Sequence, residues 1–199
     1  MLPHNFVGYV HTLFQVSSAW SLYKVLRAIG FLTITCDNTP IIERNQNYLF
    51  VSNHQSYLDV YAIFMGLKTR IIYRSCPLRF MTASSVYFSP LLPFIWLGGG
   101  FPTRRKDKTY HAVNYAIERL DLGERVVIFP EGRRSVPGTV QPHSGVTRII
   151  NGVTKPLNII LVRLHWRRTS WFRRSLHVTY KNYSGRSDQD SLMQTIYSL

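Results

Sequence analysis

The chain reads as a single α/β domain with a largely parallel central sheet flanked by helices, preceded by an N-terminal amphipathic helix. Three observations predict this class. Short apolar runs rich in β-branched and aromatic residues, at 48–52 and 125–129, recur between stretches of helical periodicity. The order strand, helix, strand demands a right-handed parallel crossover. The 199 residues, 45% hydrophobic and 17% charged, favour one globular body with room for a core. The expected division is a helical segment over 1–30 and a domain over 31–199.

Residues 5–23 carry no formal charge, and Lys24 and Arg27 follow them. That length would just span a bilayer, but Asn5, His11, Gln15 and several hydroxyls interrupt the apolar run. Phe6, Val10, Leu13, Phe14, Ala19 and Trp20 suit a helix with one apolar face. Two placements fit this pattern: in a membrane interface, or packed on the domain's own core. No basic leader region or small-residue cleavage site marks a secretory signal.

Gly30 ends the helix. Residues 31–36 alternate as a strand, and 37–40 form a turn. The run at 48–52 reads as a buried strand, 60–67 as a helix and 69–73 as the next strand. Residues 86–101 are apolar and uncharged, and Pro90 and Pro93 exclude one continuous helix. This segment is read as membrane-dipping or acyl-chain-lining, or alternatively as a buried helix pair. It ends in a glycine run, Gly98 to Gly100, that permits close backbone approach to a ligand, with Arg104 and Arg105 suited to a phosphate. Residues 108–120 form a helix, 125–129 a strand, 156–164 and 176–180 further strands, and 187–199 a closing helix with Asp188 and Asp190 near its start.

The formal net charge of +14 calls for an anionic partner: nucleic acid, an anionic membrane surface or a phosphorylated substrate. Between residues 125 and 187 the one acid is Glu131. Arg163, Arg167, Arg168, Arg173 and Arg174 are interleaved with Trp166, Trp171 and Phe172, a pattern shared by nucleic-acid binders and by proteins that press on anionic lipid. Cys36 and Cys76 have neither metal-ligand nor disulfide-framework spacing, and the seven histidines form no ligand pair, so no metal is expected.

The densest chemical signal is Asn53-His54-Gln55-Ser56-Tyr57-Leu58-Asp59, on a strand-to-helix turn. A carboxylate accepting from one imidazole nitrogen fixes the tautomer and leaves the other nitrogen free to take a proton. No serine or cysteine nucleophile accompanies the pair, so the substrate would bring its own hydroxyl. The same residues also spell a capping box, with Ser56 as N-cap and Asp59 at the third helical position. A second strand ends in Pro130-Glu131-Gly132-Arg133-Arg134-Ser135, where the acid either pairs with arginine or positions a substrate.

Taken together, these blocks resemble the glycerolipid acyltransferases of the lysophosphatidic acid (1-acyl-sn-glycerol-3-phosphate) acyltransferase type. Asn53-His54 with Asp59 is similar to the family's NH-x-x-x-x-D block, and Gly98, Phe101 and Arg104 to its second. Residues 129–135 are similar to its FPEG-T-R-S block, and 156–162 to the weaker fourth. The resemblance implies His54 and Asp59 as the catalytic pair. It implies a substrate pocket shaped by Asn53, Gly98, Phe101, Arg104, Glu131, Gly132, Arg133, Arg134 and Ser135. It also implies acyl-CoA or an acyl carrier protein as donor, a lysophospholipid acceptor and no cofactor. The expected setting is an anionic membrane surface, held monotopically on the cytoplasmic face of the inner membrane, with no nucleic acid. Arg133 stands where the family usually has threonine, and His143 where it has a basic residue, which leaves another lysolipid or an amino-lipid open as acceptor. A non-catalytic binder of anionic lipid or nucleic acid is the reading from a different class.

Overall fold

The computed structural model describes residues 2–43, 46–65, 67, 71, 76–103, 109–134, 136, 139, 141–185 and 188–199, with side chains omitted at 2–6 and 109–111. The strands are β1 (Leu32–Asp37), β2 (Asn47–Ser52), β3 (Leu78–Ala83), β4 (Gly100–Thr103), β5 (Arg125–Ile128), β6 (Leu157–Arg168) and β7 (Arg174–Tyr183). The helices are α1 (Leu2–Ala28), α2 (Asp59–Met65), α3 (Ser84–Tyr87), α4 (Leu92–Leu97), α5 (Thr109–Asp121), α6 (Gly145–Gly152) and α7 (Gln189–Ser198).

Among the described residues one sheet runs β1-β7-β6-β2-β5-β3-β4. All pairings are parallel except the β6–β7 hairpin. The central strand β2 is buried on both faces, as strands covered on both sides must be. Its side chains alternate between two cores. Tyr48 and Phe50 pack with Ala62, Ile63 and Phe64 of α2 and with Leu22 and Leu26 of α1. Leu49 and Val51 pack with Ala112, Ala116 and Leu120 of α5, Ile149 of α6 and Leu192 and Ile196 of α7. The result is a sheet between two helical layers.

Several expectations need correction. The strand expected at 69–73 lies largely outside the described residues; the strand that returns to the sheet is β3, later in the chain than the expected one. Arg79, buried in β3, breaks its apolar alternation. β4 was hidden by Gly100 and Pro102, which it tolerates because it is the edge strand. α6 is a helix beyond those expected, short and bounded by glycine at both ends.

Residues 86–101 are not a buried helix pair. α3 and α4 are short, and Phe88, Leu91, Phe94 and Trp96 stand exposed. The glycine run serves packing. A Cβ on Gly99 (φ +89°) would lie 2.0 Å from the Leu78 carbonyl oxygen, and one on Gly100 2.5 Å from Ile95.

The N-terminal helix follows its expected face only in part: Ala19 is buried and Leu22 and Leu26 pack on the domain, but its innermost side chains are mostly polar. Its innermost residues are His11, Thr12, Gln15 and Ala19, while Tyr9, Leu13 and Trp20 point outward. The reason is local hydrogen-bond demand. The Gln15 amide donates to the carbonyls of Leu78 (2.8 Å) and Gly98 (2.8 Å) and accepts from Leu78 N (3.0 Å), so it joins α1, β3 and the end of α4. Arg79 Nη1 donates to His11 Nδ1 (2.7 Å), and its Nε donates to Glu124 (2.6 Å). Gly30 (φ +68°) ends α1 as expected, with Phe31 N–H bonded to the Leu26 carbonyl and Gly30 N–H to that of Arg27. No helix among the described residues is long and apolar enough to cross a membrane.

Candidate active site

Parallel alignment brings the C-terminal ends of β2, β3, β4, β5 and β6 to one rim of the sheet, where α/β folds place their ligands. The turn after β2 and the loop after β5 meet there. Asn53 extends β2 by one more pairing: its side-chain amide donates to the Leu164 carbonyl (2.9 Å) and accepts from Leu164 N (2.7 Å). It is buried, and its role in this geometry is to tie the turn to β6.

His54 follows. Its Nδ1 lies 2.8 Å from Asp59 Oδ2, and its ring stacks on Phe129 at 4.4 Å. Because a carboxylate can only accept, Nδ1 is the protonated nitrogen and Nε2 carries the lone pair. The His54 side chain is 21% exposed and Asp59 is fully buried. Oδ2 of Asp59 also accepts from the backbone N–H groups of Gln55 (2.6 Å) and Ser56 (2.8 Å), and Oδ1 accepts from the Trp166 indole (2.7 Å). The bond to Ser56 N is the reciprocal half of a capping box, so the capping and orienting readings of Asp59 hold together.

Five N–H groups of the turn are engaged by this architecture. His54 N donates to Glu131 Oε2 (3.1 Å), Leu58 N to Ser56 Oγ (3.2 Å) and Asp59 N to the Ser56 carbonyl (3.2 Å). With Gln55 N and Ser56 N held by Asp59, five backbone donors are committed to the turn itself and to Glu131.

Glu131 is buried and joins the third block to the first through His54 N. Its other oxygen accepts from the Tyr197 hydroxyl of α7. Gly132 adopts φ +63°, and a Cβ there would lie 2.8 Å from the His143 ring, so the two chain segments close tightly. Arg133 and Arg134 are exposed; Arg134 lies over the Tyr57 ring at 3.5 Å and donates to its hydroxyl (2.6 Å).

The other sequence-predicted positions divide. Phe101 is core, packed against Tyr115 (4.8 Å), and Gly98 is buried where its carbonyl meets Gln15. Arg104 and Ser135 lie outside the described residues. Trp166, Phe129 and Tyr197 join the site without having been singled out for it. Only for Phe129 did the sequence hold a signal, as the residue that opens the third block.

Burial raises both cysteine thiols, Cys36 to about 11 and Cys76 to about 12, which keeps them protonated and poor nucleophiles. An open cleft of about 480 Å³, lined by Gln141, Pro142, Asp190, Met193 and Tyr197 among others, adjoins the site through Tyr197.

A chloroplastic 1-acyl-sn-glycerol-3-phosphate acyltransferase of Arabidopsis thaliana is 26% identical over 138 residues, 68% of this chain and 33% of its own length. A 1-acyl-sn-glycerol-3-phosphate acyltransferase of Chlamydomonas reinhardtii is 27% identical over 131 residues, 64% of this chain and 35% of its own. The chain thus spans about a third of the length of the curated relatives it matches. The crystal structure of a 1-acyl-sn-glycerophosphate acyltransferase from Thermotoga maritima shares the fold, with a TM-score of 0.61 at 19% identity over 92% of this chain and 75% of that one. The sequence model of the family described as Acyltransferase matches residues 33–161, which takes in both strand ends that build this rim, and the chain belongs to that acyltransferase family.

Proposed function

We propose that the chain transfers a fatty acyl group from acyl-CoA or an acyl carrier protein to the free hydroxyl of lysophosphatidic acid, giving phosphatidic acid. The observation that carries this is the His54–Asp59 pair, with Nδ1 committed to a buried carboxylate and the ring partly open on a rim that holds arginines. His54 Nε2 takes the proton of the acceptor hydroxyl. The oxygen attacks the thioester carbonyl carbon, and the tetrahedral intermediate collapses by breaking its carbon–sulfur bond. The thiolate leaves and takes the proton back from His54. The two thiols, Cys76 buried and Cys36 half-buried and both held protonated, leave direct transfer as the simpler course, and no cofactor enters. Arg133 and Arg134 are the third-block groups able to meet developing negative charge or the acceptor's phosphate, with Arg104 assigned to that phosphate by the motif.

The setting that fits is an anionic membrane surface, approached from its cytoplasmic face without crossing. Phe88 and Leu91 between α3 and α4, with Phe94 and Trp96 on α4, form an exposed apolar surface, and Trp171, 80% exposed, caps the arginine-rich β6–β7 hairpin. Charge of +14 adds attraction to anionic lipid, about 1 kcal/mol for each basic residue near the surface.

The test is thiol release from acyl-CoA in detergent or vesicles, with and without lysophosphatidic acid, for wild type and His54→Ala. Release that needs both acceptor and His54 is expected, with a loss of about a hundred- to ten-thousandfold in the variant. Equal release by the two proteins would sink the mechanism, and no thioester consumption with any donor or acceptor would favour the binding-module reading. The departures at Arg133 and at His143, which sits against Gly132, favour trying other lysolipids and amino-lipids as acceptors in the same assay.

A further inference from the structure

We infer that Trp166 is a positioning residue for the dyad: its indole N–H holds Asp59 in the orientation from which the carboxylate holds His54. This rests on the acyl-transfer reading for its consequence but not for its geometry. Trp166 stands 107 positions from Asp59, on the part of β6 that runs past its last pairing with β2, Ser52 with Val162. That overhanging part pairs with β7, Trp166 opposite Leu176. Two tethers set its height over the turn: the Asn53 amide on the Leu164 backbone, and Gln55 Oε1 accepting from Trp166 N (3.2 Å).

The need for the indole follows from how Asp59 is satisfied. Oδ2 receives three donors, namely His54 Nδ1, Gln55 N and Ser56 N. Oδ1 receives the Trp166 indole, at 2.7 Å. The carboxylate is fully buried, where an oxygen without a donor is costly. A carboxylate pinned at one oxygen can still turn about its own axis; pinned at both, it cannot. Indole N–H can only donate, so it supports the ionised carboxylate that His54 requires. Composition places Trp166 in a basic, aromatic surface stretch, whereas the fold turns its ring inward onto the dyad.

The bond is read without substrate by the indole ¹H–¹⁵N resonances, with Trp166→Phe assigning the signal. In Asp59→Ala the Trp166 signal should move, and its exchange with water should quicken at least about tenfold; an unchanged signal would overturn the bond. Its consequence is read by turnover. Trp166→Phe, and 3-benzothienylalanine placed at 166, which keeps the indole's shape without the N–H, should each lose about ten- to hundredfold in kcat. KM for both substrates should stay within about twofold. A 5-fluorotryptophan at 166, which keeps the N–H, should restore kcat. Wild-type kcat in the benzothienyl protein would overturn the proposal, because shape alone would then suffice. If wild type fails to exceed His54→Ala with every thioester, the acyl-transfer reading falls, and the indole spectra still decide whether Trp166 holds Asp59.

Discussion

Two histidines of this chain set Nδ1 against a charged side chain at nearly the same distance, 2.8 Å for His54 and 2.7 Å for His11, and the two rings are chemically opposite. The partner of His54 is a carboxylate, so Nδ1 donates and Nε2 is left as a base. The partner of His11 is the Arg79 guanidinium, so Nδ1 accepts and the proton sits on Nε2. That nitrogen is buried without a hydrogen-bond partner among the described residues, in a ring packed edge-on to Trp96 at 4.8 Å. Burial first, and Arg79 second, pull the His11 pKa down to about 4. His54 is partly exposed on the rim where parallel strands end; His11 is buried on the inner side of α1, tying that helix to Arg79 of β3. The sign of the partner and access to solvent, rather than the residue type, separate a base from a strut.

The largest effect should come from making the carboxylate neutral. In Asp59→Asn the new amino group faces a donor whichever way the amide turns, because all four bonds to Asp59 come from donors. We expect turnover to fall about a hundred- to ten-thousandfold and the melting temperature to drop, checked by the thiol-release assay and by calorimetry. Near-normal turnover would mean that the His54 tautomer does not matter.

Next is the strut. Glu124→Ala removes the carboxylate partner of buried Arg79 (Nε to Oε2, 2.6 Å) and should cost about 3–5 kcal/mol of stability. Turnover per folded molecule should stay within about twofold, since this ion pair lies among β3, β5 and α1 rather than on the rim. A large kcat loss in folded protein would show that the two histidine regions are coupled.

The smallest effect concerns pH. His11 is depressed when folded, so its contribution is complete above the unfolded value of about 6.5. It is lost as pH falls toward the folded value of about 4, because the unfolded chain takes up a proton that the folded chain refuses. Urea unfolding at pH 7, 5.5 and 4 should therefore show a loss of about 2 kcal/mol in wild type that flattens in His11→Leu. An equal slope in the variant would assign the acid sensitivity to other groups.

Much of the rim was legible because its chemistry is local. The spacing of His54 and Asp59 across one turn, and the block from Phe129 to Ser135, are short-range patterns fixed by how a strand hands over to a turn. The hydrophobic periodicities of β2, β5 and α5 likewise report burial on the faces they occupy. What local pattern could not convey is which distant group satisfies a buried polar atom. Trp166 donating to Asp59, Tyr197 to Glu131, and Gln15 bridging Leu78 and Gly98 join residues 107, 66, 63 and 83 positions apart. The polar inner face of α1 has the same cause. Taken alone its sequence favours an apolar inner face, yet the neighbouring backbone and Arg79 needed polar partners, and His11 and Gln15 were turned inward to meet them. The α/β class, the blocks around His54 and Glu131 and the basic charge could be read from the chain alone, since neighbours in the chain carry them. Which histidine leaves Nε2 unprotonated, which glycines are packing and which aromatic ring holds the carboxylate came from the tertiary arrangement, because a buried polar group takes its state from whatever the fold sets beside it.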